Sequence, residues 1–161
     1  MPGIVPNLWF DTQAQEAAEY YVSLFPNSAI TSISRYTDAG PRPAGMVLTV
    51  EFVLDGQAFL AINGGPQFTF DEAVSMMVKC ADQEEIDHYW TGLSAGGEEG
   101  PCGWLKDRYG LSWQVVPSSF SELMTDPDEG RRERAMRAVL AMGKLDIAAI
   151  SAAADGDGNL G

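Results

Sequence analysis

Histidine is almost missing from this chain: one residue, His88, stands among 161. A Ser-His-Asp set or a cluster of imidazole metal ligands has almost nothing to be built from. Cysteine occurs only twice, as Cys80 and Cys102, in no spacing that suits a metal, which predicts reduced thiols and a cytoplasmic protein. Basic residues are scarce, 10 Lys and Arg against 23 Asp and Glu, for a net charge of −13. A surface of that sign repels phosphate backbones and anionic lipids, so nucleic acid and membrane are disfavoured as partners. No apolar run nears the roughly 20 residues of a membrane span. The opening MPGIVPNLWF lacks the basic segment and long apolar stretch of a signal peptide.

What is present is a core-forming apolar share, punctuated at regular intervals. Residues 4–10 read as a strand, and Thr12 with Gln15 as a capping box before Ala17, Tyr21, Leu24 and Phe25 at helical spacing. Pro26-Asn27 ends that helix, residues 29–36 read as a strand, and the run from Asp38 to Pro43 as a loop. Residues 46–54 and 57–63 flank Asp55-Gly56, a strong β-hairpin signal.

After Gly64-Gly65-Pro66 the pattern restarts. Residues 73–80 form the next expected strand, and Asp82 with Glu85 cap a helix lined by Ile86, Tyr89, Trp90 and Leu93. Short strands follow at 102–106 and 111–116, with a weakly written one at 97–101. Overlaying the halves puts Tyr20-Tyr21 on Tyr89-Trp90 and Leu24 on Leu93, the mark of an internal repeat. The tail is helical, with start signals at Ser119/Glu122 and at Asp126-Pro127/Glu129. Ala135, Val139 and Met142 form an apolar stripe beside Met136 and Leu140, which must bury in cis or on a partner. Arg131, Arg132, Arg134 and Arg137 alternate with acids and read as a solvated face, with Glu133–Arg137 as an i,i+4 pair. Residues after Ile150 are expected to fray.

The expected class is therefore α+β: two tandem βαβββ modules (4–66 and 73–117) forming a cupped mixed sheet, with a C-terminal helical extension at 118–153, in a single domain. The segments PNLWFDTQAQEAAEYYVSLFP, LTVEFVLDGQAFLAINGGPQF and CGWLKDRYGLSWQVVP resemble the "3-demethylubiquinone-9 3-methyltransferase" (PhnB-like) family. That family belongs to the vicinal-oxygen-chelate superfamily of glyoxalase, bleomycin-resistance and dioxygenase folds. The resemblance spans roughly residues 4–150. It implies paired modules that curl into cups and assemble as a homodimer. A methyltransferase needs a Gly-rich turn between a strand and a helix; Gly64-Gly65 runs into Pro66 and Gly96-Gly97 follows a helix, so that activity is disfavoured.

The resemblance also implies divalent-metal positions on the strands of the cup. Strand alternation projects them onto Asn7, Ser75, Gln114 and either Ala61 or Asn63. Neutral amides and hydroxyls bind such ions poorly, which predicts a metal-free cup with no cofactor. Asn7, Asn63, Ser75 and Gln114 offer hydrogen bonds, while Trp9 and Trp104 offer flat apolar walls, with a core role the alternative for the tryptophans and the preferred one for Trp113. Lys106 and Asp107 are catalytic candidates: Lys106 could bind an anionic group or act as a base with its pKa lowered by burial, and the alternative is that the two form an ion pair flanking a turn. Cys102 reads as a small buried thiol, Glu51 as solvent-facing, and His88 as pointing away from the cup. The expected function is a metal-free small-molecule-binding cup. The alternatives are a lyase or isomerase using a weakly held divalent metal or Lys106, and a dimeric interaction module.

Overall fold

Alternation of apolar residues, short turns and one helix per half build each sheet of this protein. In the computed structural model, which describes residues 2–156, the order is β1 (Asn7–Phe10), α1 (Ala14–Leu24), β2 (Ala29–Arg35), β3 (Val47–Leu54), β4 (Gln57–Asn63), then β5 (Ser75–Cys80), α2 (Gln83–Ser94), β6 (Glu98–Glu99), β7 (Trp104–Lys106) and β8 (Ser112–Pro117). Three helices close the chain: α3 (Phe120–Met124), α4 (Glu129–Leu140) and α5 (Ile147–Asp155). The fold is α+β, two four-stranded mixed sheets with strand orders β1-β4-β3-β2 and β5-β8-β7-β6. The same topology twice is the βαβββ repeat. Contacts divide the chain into two compact units, Met1–Phe70 and Asp71–Gly161.

In the first unit β1 lies parallel to β4, and β3 is antiparallel to both β4 and β2. The β3–β4 hairpin turns on Asp55 and Gly56, at φ 44° and 83°, the paired positive values of a type I′ turn. Leu8, Phe10, Val50, Phe52, Phe59 and Ala61 share one face, buried against Ala14, Ala17, Ala18 and Tyr21 of α1. Small alanines on α1 let the helix sit close, and Tyr21 and Phe59 flank Phe52 at ring separations of 6.4 and 5.4 Å. The opposite face carries Asn7, Trp9, Thr49, Glu51, Leu60 and Ile62.

The expected Thr12 capping box does not form: α1 starts at Ala14 with no cap from its own side chains. Instead Asn63 Oδ1, at the end of β4, accepts from the Ala14 amide at 2.8 Å. The cap comes from 49 residues away, so no local pattern could announce it.

In the second unit Asp82 does cap α2, accepting from Glu85 N at 2.9 Å, and Glu85 accepts from Ala81 N at 2.8 Å. Ile86, Tyr89, Trp90 and Leu93 bury against Cys80, Leu105, Trp113 and Val115. The weakly written strand is real but only two residues long, Glu98 and Glu99, paired with Lys106 and Leu105.

The C-terminal helices differ from expectation in two ways. α4 begins at Glu129 with Asp128 as its cap, two residues beyond the Asp126-Pro127 signal, because Asp126 instead accepts from the Asp128 amide and from Arg131. Residues 151–155 are helical where fraying was expected: α5 runs to Asp155, its alanine-rich sequence is a strong helix former, and Ala154 is buried, while the part of that expectation falling on residues 157–161 lies outside the described residues. Ala135 and Val139 meet Val116, Leu145, Ile150 and Ala154, so the stripe on α4 buries within its own unit. Arg131 joins Asp126 to Asp155, and Arg134 donates to Ala154 O, so part of the basic run stitches α4 to α5. Met136 and Leu140 remain exposed. Among the described residues no helix is long and apolar enough to cross a membrane.

Candidate functional site

Because α1 and α2 each cover one face of their sheet, candidate residues can be sorted by strand register alone. In module two Ser75 lies beside Ser112, Gln114 beside both Met77 and Trp104, and Lys106 beside Ser112. These side chains share the face turned away from α2. Gln114 Nε2 donates to Ser75 Oγ at 2.9 Å. In module one Asn7 and Trp9 share the face turned away from α1, next to Leu60 and Ile62.

Asn63 does not. The parallel register places it beside Phe10, on the α1 side, where it is 1% exposed. Its amide is fully engaged, with Oδ1 on Ala14 N and Nδ2 on Val47 O at 3.1 Å, and its carbonyl accepts from the buried Tyr36 hydroxyl at 2.7 Å. Ala61 shares that face. Both fourth-strand candidates therefore point away from Asn7 and Trp9. The register could not be fixed from sequence because every residue of the AFLAIN run suits either face.

Trp9 is held edge-on and from below. Its Nε1 donates to Gly65 O at 2.9 Å, and Phe68 meets the ring at 5.0 Å. A Cβ on Gly64 would fall 2.3 Å from the indole, so Gly64 is glycine for the close approach of that ring. Gly65, at φ 121°, then reverses the chain. Gly64-Gly65 thus follows a strand and leads into Pro66, and Gly96-Gly97 follows α2; neither opens a helix.

Lys106 and Asp107 part company. Lys106 forms an ion pair with Glu72, and that hydrogen bond, with the charges of Glu72, Glu98 and Asp71, holds its pKa above the ordinary lysine value. The direction is opposite to the lowering by burial expected of a base: three carboxylates outweigh desolvation. The same bond holds Glu72 below the usual carboxylate range. Asp107 is 3% exposed and organises the turn instead of pairing with Lys106. Its Oδ1 accepts from Tyr109 N at 2.8 Å and Leu111 N at 3.1 Å, and its Oδ2 from Trp113 Nε1 at 2.9 Å. Trp113 is accordingly core.

Cys102 is half-buried against the C-terminal cluster, and its amide donates to Met142 O at 2.7 Å. Burial pushes the Cys80 thiol up to about 12. His88 is exposed on α2, and Glu51 is exposed on the open face of β3.

A divalent metal of the kind implied by the family does not fit these residues. The projected ligands Asn7, Ser75 and Gln114 are neutral, and Ser75 and Gln114 satisfy each other. Among the described residues no group of three or more His, Cys, Asp or Glu is arranged to hold an ion. Sequence reasoning missed Ser112, Glu98 and Glu72. Ser112 alternates with Gln114 in the same strand, a signal that was available; Glu98 and Glu72 become neighbours of Lys106 only through pairing and loop placement.

The family model described as 3-demethylubiquinone-9 3-methyltransferase matches residues 2–116. The solved PhnB protein from Bacillus cereus is 38% identical, with 71% of this chain and 99% of that one covered and a TM-score of 0.64. Protein PA1353 from Pseudomonas aeruginosa is 20% identical, covering 73% and 98%, with a TM-score of 0.60. The fosfomycin resistance protein FosX from Listeria monocytogenes, in a monoclinic form, is 15% identical, covering 78% and 98%, with a TM-score of 0.54. At those identities the last two carry the fold alone. FosX has been crystallised with Mn(II) and sulfate. No curated protein matches the sequence.

Proposed function

The chain belongs to the 3-demethylubiquinone-9 3-methyltransferase (PhnB-like) family, and from that premise we propose that it binds a small organic molecule without a metal ion, rather than transferring a methyl group. One observation carries this reading. In module one Asn7 and Trp9 share the open face of their sheet, in module two Ser75, Gln114 and Trp104 share the open face of theirs, and none of the positions projected for an ion holds imidazole or carboxylate. Amides, hydroxyls and indoles are the lining of organic-ligand pockets rather than of ion sites. Against a methyltransferase stands the placement of both glycine pairs at chain reversals.

Native mass spectrometry of untagged protein purified without chelator is the test. The expected spectrum shows less than a tenth of the chains carrying metal after dialysis against Mn(II) and Zn(II); one tightly held ion per chain overturns the reading. The same spectrum reads assembly. A homodimer is the expected state, because the strand orders leave β1, β2, β5 and β6 at sheet edges that a second copy would cover. With a net charge of −13, neither nucleic acid nor an anionic membrane is a fitting partner, and two free thiols fit a reducing cytoplasm.

The second reading is a lyase or isomerase acting on an oxygen-rich substrate, favoured by the fold shared with FosX, a resistance protein crystallised with Mn(II). It would draw on a weakly held divalent ion or on Lys106. Turnover that disappears on chelation, or in Lys106→Ala, would promote it over the binding reading.

A further inference from the structure

One buried group on the helix-free face of module two has no use in anything described above. Ser112 is 1% exposed, yet its Oγ has no hydrogen-bond partner among the described residues. Buried hydroxyls are nearly always satisfied, so an orphan in a cavity wall marks a missing partner. Ser112 lines a cavity of about 220 Å³ whose other walls include Glu72, Glu98, Trp104, Lys106 and Pro101.

The charge of the walls selects its sign. Lys106 is the single cation there, and Glu72 already neutralises it. Glu98, directly paired with Lys106 across β6 and β7, is then in excess, and Asp71 lies close enough to act on the same ammonium. Glu99 is engaged on the other face by Trp90 Nε1 at 2.9 Å. An anion would meet a net negative wall, within a chain of charge −13. A cation would meet a carboxylate and the half-buried Trp104, whose indole attracts ammonium groups.

We infer that this cavity takes a small hydroxylated organic ammonium ion, a free amino alcohol, with its cationic end between Trp104 and Glu98 and its hydroxyl on Ser112 Oγ. The inference rests on the small-molecule reading and gives that ligand its chemical class.

The test is calorimetric titration of the full chain at low salt with four probes: choline, its uncharged isostere 3,3-dimethylbutan-1-ol, tetramethylammonium, which lacks the hydroxyl, and phosphocholine, which replaces the hydroxyl with phosphate as a lipid headgroup does. Choline is expected to bind about tenfold tighter than the isostere, the gain of a cation over an aromatic face and beside a carboxylate. Ser112→Ala is expected to weaken choline about fivefold while leaving tetramethylammonium unchanged, the signature of one hydrogen bond. Glu98→Gln should weaken both cations alike. Phosphocholine binding as tightly as choline, equal loss of both cations in Ser112→Ala, or no choline binding at 20 mM would each overturn the inference. An organic adduct in the native spectrum that is indifferent to Ser112→Ala and Glu98→Gln would remove this site and leave the small-molecule reading standing. Absence of both adduct and probe binding would remove the two together.

Discussion

Asp107→Ala is expected to be among the most damaging single changes in module two, although the residue lies in a turn and carries a charge. Its carboxylate accepts from two backbone amides and the Trp113 indole, at 2.8 to 3.1 Å, and is 3% exposed. Leu111 and Trp113 are themselves buried, so two of the three stranded donors cannot turn to water. At about 1–3 kcal/mol for each buried donor left unpaired, and with some relief from no longer desolvating a carboxylate, the loss comes to about 3–5 kcal/mol. That is a large share of the roughly 5–15 kcal/mol by which a domain is stable. Asp107→Asn separates the contributions. It keeps Oδ1 for the turn amides but sets an NH₂ against the Trp113 NH, donor to donor, for about 1–3 kcal/mol. In a Trp113→Phe background that last penalty should shrink below about 1 kcal/mol, since the competing donor is gone. Urea unfolding followed by far-UV circular dichroism reads the wild type and all four variants, because the transition is followed through the backbone rather than through tryptophan emission. With a slope of about 2 kcal/mol per molar urea, Asp107→Ala should move the midpoint down by about 1.5–2.5 M at unchanged slope. A shift under about 0.5 M, or an Asp107→Asn penalty that persists without Trp113, would refute the account of the turn.

Four further outcomes follow from module one and the Cys80 thiol. Asn63→Ala strands the Ala14 amide and the Val47 carbonyl, so it should cost about 2–4 kcal/mol and speed hydrogen exchange in the first turn of α1. Gly64→Ala places a methyl 2.3 Å from the Trp9 ring. It should break the Trp9–Gly65 bond, red-shift tryptophan emission, and lower stability by about 1–3 kcal/mol; an unchanged spectrum would contradict the packing. Cys80 is held protonated up to about 12 by burial, so iodoacetamide at pH 8 should leave it unmodified in native protein, as peptide mass spectrometry would show. Its folded pKa lies above the ordinary 9.0, so its contribution is complete below pH 9 and stability should fall as pH rises from about 9 towards 12.

Periodicity, turn chemistry and self-similarity determined the fold class of this protein. Apolar residues recur every second position in the strands and every third or fourth in α1 and α2, Asp55-Gly56 can hardly be anything but a hairpin turn, and Tyr21 and Trp90 mark equivalent places in two copies of one unit. These signals lie within a few residues of one another, so the chain carries them without reference to its folded form. Tertiary structure decided everything that depends on which strand lies beside which. Asn63 turned from a ligand candidate into the cap of α1 because the β1–β4 register set it on the helix side. Lys106 gained Glu72 as an ion-pair partner only through the placement of the loop before β5. Ser112, one alternation from Gln114, acquired its interest only when the sheet buried its hydroxyl and left it alone. A side chain's partner across a sheet is a matter of register, and a one-residue slip exchanges the faces of a whole strand. Local sequence specifies that a strand forms, and long-range packing alone chooses the face and the neighbours it offers to chemistry.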